Sequence, residues 1–309
     1  MKTTCLINNF NYESYVIEAV NSALRQSVPF DEIIVVDDGS TDSSPQLLEE
    51  KFTNNPKVKL ILSQKNSGQL SSLNQGYLAS NGDVIFFLDS DDIYEENYLG
   101  EALKVYASDK KCSFLFCETR KFGDSKEDFT NNQLKPHENK VVYNLGYSIV
   151  SILYASDARV GISTSGVSIK KEVLDQFMPI PFTNDWRISA DRCLSWGSSL
   201  VGAKKYYLTN PLIKYRVHDH NNYFNNPCFQ EYEHSYLREL RKKRLFNFIT
   251  SKMQYDDQLQ ELAAREFRTI PKPTFYRLRV YLKIVLKRKE INFLRKTKMI
   301  STMVKHYFY

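Results

Sequence analysis

Through its first 120 residues the chain alternates between short apolar or β-branched runs and longer stretches whose apolar positions recur every three or four residues. Runs at 3–7, 32–36, 58–62, 84–88 and 114–117 have the length and composition of strands, and the stretches 15–26, 44–52, 70–80 and 97–107 have the period of helices. This rhythm predicts an α/β fold with a mostly parallel central sheet and crossover helices on both faces. Several of the strands are near-continuous apolar runs, as strands covered on both sides must be. Beyond residue 120 the pattern loosens. The stretches 123–139 and 218–228 are polar and read as loops, the second as a lid. Helices are expected around 145–155 and 187–196, and strands around 166–169 and within 200–217.

Ligands of open parallel sheets lie beyond the carboxyl ends of the strands, so the residues following each strand carry the first functional information. Here they are Asn8-Asn9-Phe10-Asn11, Asp37-Asp38-Gly39-Ser40, Gln64 to Gly68, and Asp89-Ser90-Asp91-Asp92. In the second group a carboxylate can serve the turn and cap the next helix, or it can accept a hydrogen bond from a nucleobase imide N–H. In the fourth, Asp89 and Asp91 alternate along an extended chain and share one face if the strand continues through them. A hard divalent cation, Mg²⁺ or Mn²⁺, relieves their repulsion and takes its remaining ligands from phosphate oxygens. Acidic residues are also favoured at a helix N-terminus, which accounts for Asp92, Glu95 and Glu96 but not for acids that begin before the turn.

Four ordered blocks carry a resemblance to the family 2 glycosyltransferases, inverting enzymes of the GT-A fold. They are NNFNYESYVIEAVNSALRQ, IIVVDDGSTD, NSGQLSSLNQGYLASNGDVIFFLDSDD, and ISADRCLSWG followed by PLIKYRVHDHNN, and together they span roughly residues 3–222. The resemblance implies a UDP-sugar donor lying along Asn9 and Asn11, with Asp38 on the uracil imide, Asn66 and Gly68 beside base and ribose, Asp89 holding the ribose or assisting the metal, and Ser90 among the nucleotide-sugar contacts. It implies Asp91 as ligand of the divalent ion, Mn²⁺ or Mg²⁺, with His218 completing the metal or diphosphate site. Asp191 falls at the family's catalytic base. The family usually has Glu before it and this chain has Ala190, which leaves Asp185 as the rival. A non-catalytic nucleotide-sugar-binding or scaffolding protein would keep the acidic site without turnover. A sugar nucleotidyltransferase would instead carry a glycine-rich, basic loop near the N-terminus, and NNFNYESY has neither feature.

Composition changes this picture in two places. The five cysteines are scattered without a CxxC pair, so neither a disulfide framework nor a zinc site is expected and a reducing, cytoplasmic setting is implied. No signal sequence or spanning segment of about 18 to 20 apolar residues is apparent. The net charge of +6 is divided unevenly: residues 231–309 hold 19 Lys and Arg against 8 Asp and Glu, and residues 1–230 hold 23 against 28. The expected division is a catalytic domain over 1–230, with a nucleotide-sugar-binding half at 1–120 and an acceptor half with the lid at 121–230, followed by a basic helical extension at 231–309. Within the extension, residues 274–289 form an amphipathic helix with Phe275, Leu278, Tyr281, Leu282, Val285 and Leu286 on one arc of roughly 140°. That arc suits either peripheral contact with anionic lipid, fitting a lipid-linked or glycan acceptor, or packing on protein, including self-association. No recognition motif points to nucleic acid.

Overall fold

In strand β1 (Thr3–Asn9) the side chains of Cys5 and Ile7 enter one apolar core and Leu6 enters another, and all are fully buried. Strand β4 (Val84–Asp89) repeats the division, with Phe86 and Leu88 on the first side and Ile85 and Phe87 on the second. The period-two alternation of a strand therefore feeds two cores, one on each face of the sheet. The computed structural model describes residues 1–123, 141–149, 163–219, 221, 235–252, 258–270, 272–286 and 292–308.

The parallel half of the sheet consists of β1, β2 (Glu32–Asp37), β3 (Val58–Leu62) and β4, in the order β3-β2-β1-β4. Helices α1 (Val16–Leu24), α2 (Ser44–Phe52) and α3 (Gln69–Ala79) make the crossovers, close to the spacing the apolar periodicity predicts. The chain steps outward from β1 to β3 and then returns on the other side of β1. This reversal opens a crevice at the carboxyl ends of β1 and β4, the place where such sheets bind ligands. The register sets Asn8 beside Asp89 and Asn9 beside Asp37 at that edge.

The other half is mixed. After β5 (Ile93–Tyr94) and α4 (Tyr98–Ser108) come β6 (Phe114–Gly123), β7 (Val142–Gly146), β8 (Val167–Lys170) and, beyond the short α5 (Lys171–Leu174), β9 (Lys205–Val217). Strand β8 joins β4 to β6 by antiparallel pairing, and β6 lies parallel to β9, which also pairs with β5 and β7. Two element boundaries shift here. Residues 142–146 are a strand that precedes the helix expected around 145–155; residue 149 is helical, and the stretch from 150 lies outside the described residues. Helix α6 runs Asp191–Leu200 and not from 187, because Ser189 holds a φ of 58° that a right-handed helix cannot pass through. The loop expected over 123–139 and the lid over 218–228 fall almost wholly outside the described residues.

The C-terminal helices divide their allegiance. In α7 (Ser235–Lys252), Leu245 and Ile249 enter the second core of the sheet. Helices α8 (Gln258–Phe267), α9 (Phe275–Leu286) and α10 (Phe293–Phe308) build a third core around Phe267, Leu278, Tyr281, Val285 and Met303. The apolar arc expected on α9 is thus largely spent on its neighbouring helices, with Ile284 added to it, while Phe275 and Leu286 at its ends are 61% and 56% exposed. The Tyr281 hydroxyl donates to Glu266 Oε1 at 2.7 Å inside this core. Lys205 of β9 is fully buried, donates to the Ser195 carbonyl at 3.0 Å and lies 4.3 Å from the Phe114 ring centre. Burial drives its ammonium well below the usual range, and the opposing charge of Glu266 couples β9 to α8. Among the described residues no helix is long and apolar enough to cross a membrane. Phe267→Ala, which empties the centre of the third core, is expected to cost about 3–5 kcal/mol in urea unfolding; an unchanged midpoint would show that this core contributes nothing to stability.

Candidate functional site

The loops after β1 and β2 are laced together by side chains. Asn9 Nδ2 donates to Asp37 Oδ2 at 2.7 Å, and Ser40 donates to Asp37 through both its backbone N (2.8 Å) and its hydroxyl (2.7 Å). Asn11, in a left-handed conformation with φ of 56° that Asn tolerates, accepts Thr41 N at 2.8 Å, and its own N donates to Ser40 Oγ. These bonds separate two carboxylates that the strand-end pattern leaves equivalent and that only the resemblance tells apart. Asp37 fastens the turn, whereas Asp38 reaches across to accept Ser67 N (3.0 Å) and Gly68 N (2.6 Å). Burial lifts the Asp38 carboxyl above the usual range against the pull of those two N–H groups and of the Arg187 charge. Each of its oxygens keeps a second lone pair. Asn9 is 2% exposed and committed to Asp37, so it shapes this crevice from beneath.

Gly68 brings in the next segment. Its φ is 93°, and a Cβ there would sit 2.5 Å from Arg187 Cα, so only glycine lets residues 187–190 close over the loop. Arg187 Nη2 then bonds Asn66 Oδ1, and the Arg187 carbonyl accepts Gln69 N at 2.9 Å. Gln69 extends the link: its Oε1 accepts Ala190 N at 2.9 Å and its Nε2 lies 3.2 Å from Asp89 Oδ1. One amide therefore ties the residue before Asp191 to the end of β4. Gln69 and Arg187 carry no signal as isolated residues; only their adjacency to Gly68 and to the turn before α6 gives them a role.

At the end of β4 the carboxylates separate by environment. Burial raises Asp89 to about 7, with the Asp91 charge and then the Asp191 charge adding to the effect and hydrogen bonds from Asn8 and Thr164 opposing it. Asp91 accepts His218 Nε2 at 3.1 Å and Asn221 Nδ2 at 3.3 Å on the same Oδ2. The His218 ring is held edge-on by Tyr12 at 5.5 Å and tilted against Tyr15 at 4.9 Å, while its backbone N donates to Asn221 Oδ1. Arg216, stacked between the rings of Tyr15 and Phe122, donates through Nε to the Asp91 carbonyl at 2.9 Å. Asp92 corrects the sequence reading: helix α4 begins only at Tyr98, so Asp92 is not an N-terminal helix acid. It is 1% exposed and accepts Ser165 Oγ (2.5 Å) and Arg216 N (2.9 Å), locking the start of β8 and the end of β9 to the site. Burial and the charges of Asp91 and Asp89 push its carboxyl well upward. Ser90 is 1% exposed, deeper than the carboxylates on either side of it.

Asp191 opens α6 at the rim, half-buried and near enough to Asp89 for its charge to be felt there. Asp185 is six residues earlier, in the 3-10 turn Thr183–Trp186, and accepts Arg244 Nη1 of α7 at 2.9 Å. Among the described residues no three His, Cys, Asp or Glu side chains gather as a complete metal shell. The pair Asp91 and His218, with Asp89 behind it, matches an ion that draws the rest of its ligands from phosphate oxygens and water.

A crevice at a topological switch point, with Asp38 in one wall and the acids that follow β4 in another, is the ligand-site arrangement of an open α/β sheet. The model of the glycosyl transferase family 2 matches residues 4–156. An uncharacterized glycosyltransferase of Nostoc sp. is 33% identical over 73% of this chain and 67% of its own length, and the chondroitin synthase of Escherichia coli is 34% identical over 36% of this chain and 16% of its own. The chain belongs to the family 2 glycosyltransferases. It spans about two thirds of the Nostoc relative and a much smaller part of the synthase. Its fold is also that of S. aureus TarS, residues 1–349, solved in complex with UDP-GlcNAc, at 16% identity and a TM-score of 0.59 over 99% of this chain and 89% of that one. Gly68→Ala is expected to destabilise the protein by about 1–3 kcal/mol, since the positive φ and the Arg187 backbone leave a methyl no space; a wild-type thermal midpoint would disprove that closure.

Proposed function

We propose that the chain is an inverting glycosyltransferase that moves a sugar, a hexose or a related one, from a UDP-sugar to a hydroxyl of a glycan or lipid-linked acceptor. The observation that carries the reading is convergence: Asp89, Asp91 and His218 meet at the end of β4, and Asp191 approaches Asp89 from the start of α6. Asp38 supports uracil recognition through its remaining lone pairs, and Asn66 and Gly68 support a wall for base and ribose. UDP-GlcNAc in the TarS structure is consistent with this donor class. The reading treats residues 1–230 as the catalytic domain and 231–309 as its extension, acting on the cytoplasmic side of a membrane.

Asp91 and His218 would hold a divalent ion, Mn²⁺ fitting a carboxylate and imidazole set better than Mg²⁺. Such an ion, when bound, neutralises charge on the departing diphosphate. Asp191 takes the proton from the acceptor hydroxyl as its oxygen attacks the anomeric carbon. The bond from that carbon to the diphosphate oxygen breaks with its electron pair going to UDP, so one displacement inverts the configuration. Asp191 is favoured over Asp185 because its charge reaches Asp89 at the end of β4, whereas Asp185 is turned to Arg244 of α7.

Asp91→Ala is expected to abolish the Mn²⁺-dependent rise in thermal stability that UDP produces, which for the wild type approaches about 2.7 kcal/mol at a hundredfold excess over Kd. Wild-type UDP stabilisation in that variant would remove the proposed ion site. Asp191→Asn should keep UDP affinity while turnover falls roughly 10²–10⁴-fold; the same collapse in Asp185→Asn, with Asp191→Asn active, would transfer the role to Asp185.

A further inference from the structure

Helix α7 is docked by its second half and overhangs the protein with its first. Leu245 and Ile249 are fully buried, but Leu237 and Leu240 are each 45% exposed. Leu237, Leu240, Arg241 and Arg244 are spaced three and four apart and share one face of the helix. That face, with Asn184 and Asp185 opposite it, encloses a half-open cavity of about 360 Å³. The size is that of a small-ligand site, large enough for part of an oligosaccharide.

Two features distinguish this cavity from an ordinary basic surface. Its guanidiniums are positioned: Arg244 lies 4.1 Å from the centre of the Phe182 ring and bonds Asp185, and Arg241 lies 5.8 Å from the centre of the Trp186 ring. A guanidinium held over an aromatic ring keeps in-plane donors directed outward, and Arg244 has five donors to divide between Asp185 and a ligand. The second feature is charge. Helix α7 carries six Lys and Arg against a single Glu, so Asp185 only partly offsets the field at the cavity. The same turn that supplies Asn184 and Asp185 leads through residues 187–190 into the helix that Asp191 opens. The cavity is therefore built on the segment that carries the candidate base.

We propose that this cavity is an acceptor subsite that binds an anionic group, a carboxylate or a phosphodiester, on a saccharide chain whose hydroxyl is presented to Asp191. The proposal rests on the glycosyltransferase reading. Arg241 and Arg244 grip the anion, and Leu237 and Leu240 pack on an apolar face of a sugar ring. Such a subsite selects chains by charge at a distance from the reacting hydroxyl and leaves the donor crevice untouched.

The test is calorimetric binding to the full chain of a uronate-containing hexasaccharide, a glycerol phosphate oligomer, neutral maltohexaose and phosphatidylglycerol vesicles, with UDP affinity measured in parallel. The wild type should bind at least one anionic oligomer roughly tenfold or more tighter than maltohexaose, and added salt should weaken it. Arg241→Gln combined with Arg244→Gln should lose about tenfold or more, with unchanged UDP affinity showing that the fold is intact. Leu240→Asp, which preserves both guanidiniums and the Arg244–Asp185 bond, should lose binding as well. Three results would each overturn the subsite: no preference for the anionic oligomers, variants that bind as the wild type does, or attraction to vesicles alone. Failure of the glycosyltransferase reading would be seen separately, as a wild type that does not bind UDP.

Discussion

Carboxylates that leave water together must be compensated, and the region around the end of β4 is organised by that requirement. Asp89 and Asp92 are desolvated, the charge of Asp91 raises the cost of ionising each, and the charge of Asp89 adds to it at Asp92. The protein answers with different partners for each. Asp92 takes a hydroxyl and a backbone N–H and becomes a fastening between β8 and β9. Asp91 takes an imidazole and an amide, partners that an incoming cation could share or replace. Asp89 takes the amides of Asn8 and Gln69, and burial together with the charges of Asp91 and Asp191 keeps its carboxyl raised. Acids adjacent in the chain thus acquire separate duties because their second partners come from distant segments.

The same requirement explains the architecture around the site. The ligands for these acids come from residues 164–165, 216–221 and the Gln69 turn, so the mixed half of the sheet has to be brought against the parallel half. Strand β9 does this by pairing with β6 along most of its length and delivering Arg216, His218 and Asn221 at its end. Arg216 is stabilised there by two aromatic rings as well as by the Asp91 carbonyl, which keeps a cation near the acids without spending it on a carboxylate of the site. Closure of residues 187–190 over Gly68 then brings the start of α6 to the crevice.

Much of this was legible in the order of residues. Strands β1 to β4, the start of β6 and the helices between them followed from apolar period, because each is an amphipathic or doubly covered element whose pattern is local; the two-residue β5, which exists only by pairing with β9, did not. The four loops at the strand ends were identifiable as one edge, because parallel crossovers return every strand in the same direction. The acidic loop was read as a cation site for a sound reason, repulsion, but Asp92 was assigned to a helix start that lies six residues further on. Its burial depends on Ser165 and Arg216, which no pattern near residue 92 announces.

What the sequence by itself determined is therefore the parallel sheet, the edge where ligands bind and the family, since these rest on short-range periodicity and contiguous motifs. The resemblance singled out Asp38, but only the tertiary structure supplies the physical reason that separates it from Asp37: Asn9 and Ser40 claim one carboxylate and Ser67 and Gly68 the other. The tertiary structure decided as well that Asp185 meets Arg244 of a helix some sixty residues on, while the charge of Asp191 reaches Asp89 at the end of β4. The apolar arc of α9, open in sequence to lipid or to protein, is mostly buried against α8 and α10. In each case the physical reason is the same: the partner that fixes a polar or apolar group is remote in the chain, and its identity exists only once the chain has folded.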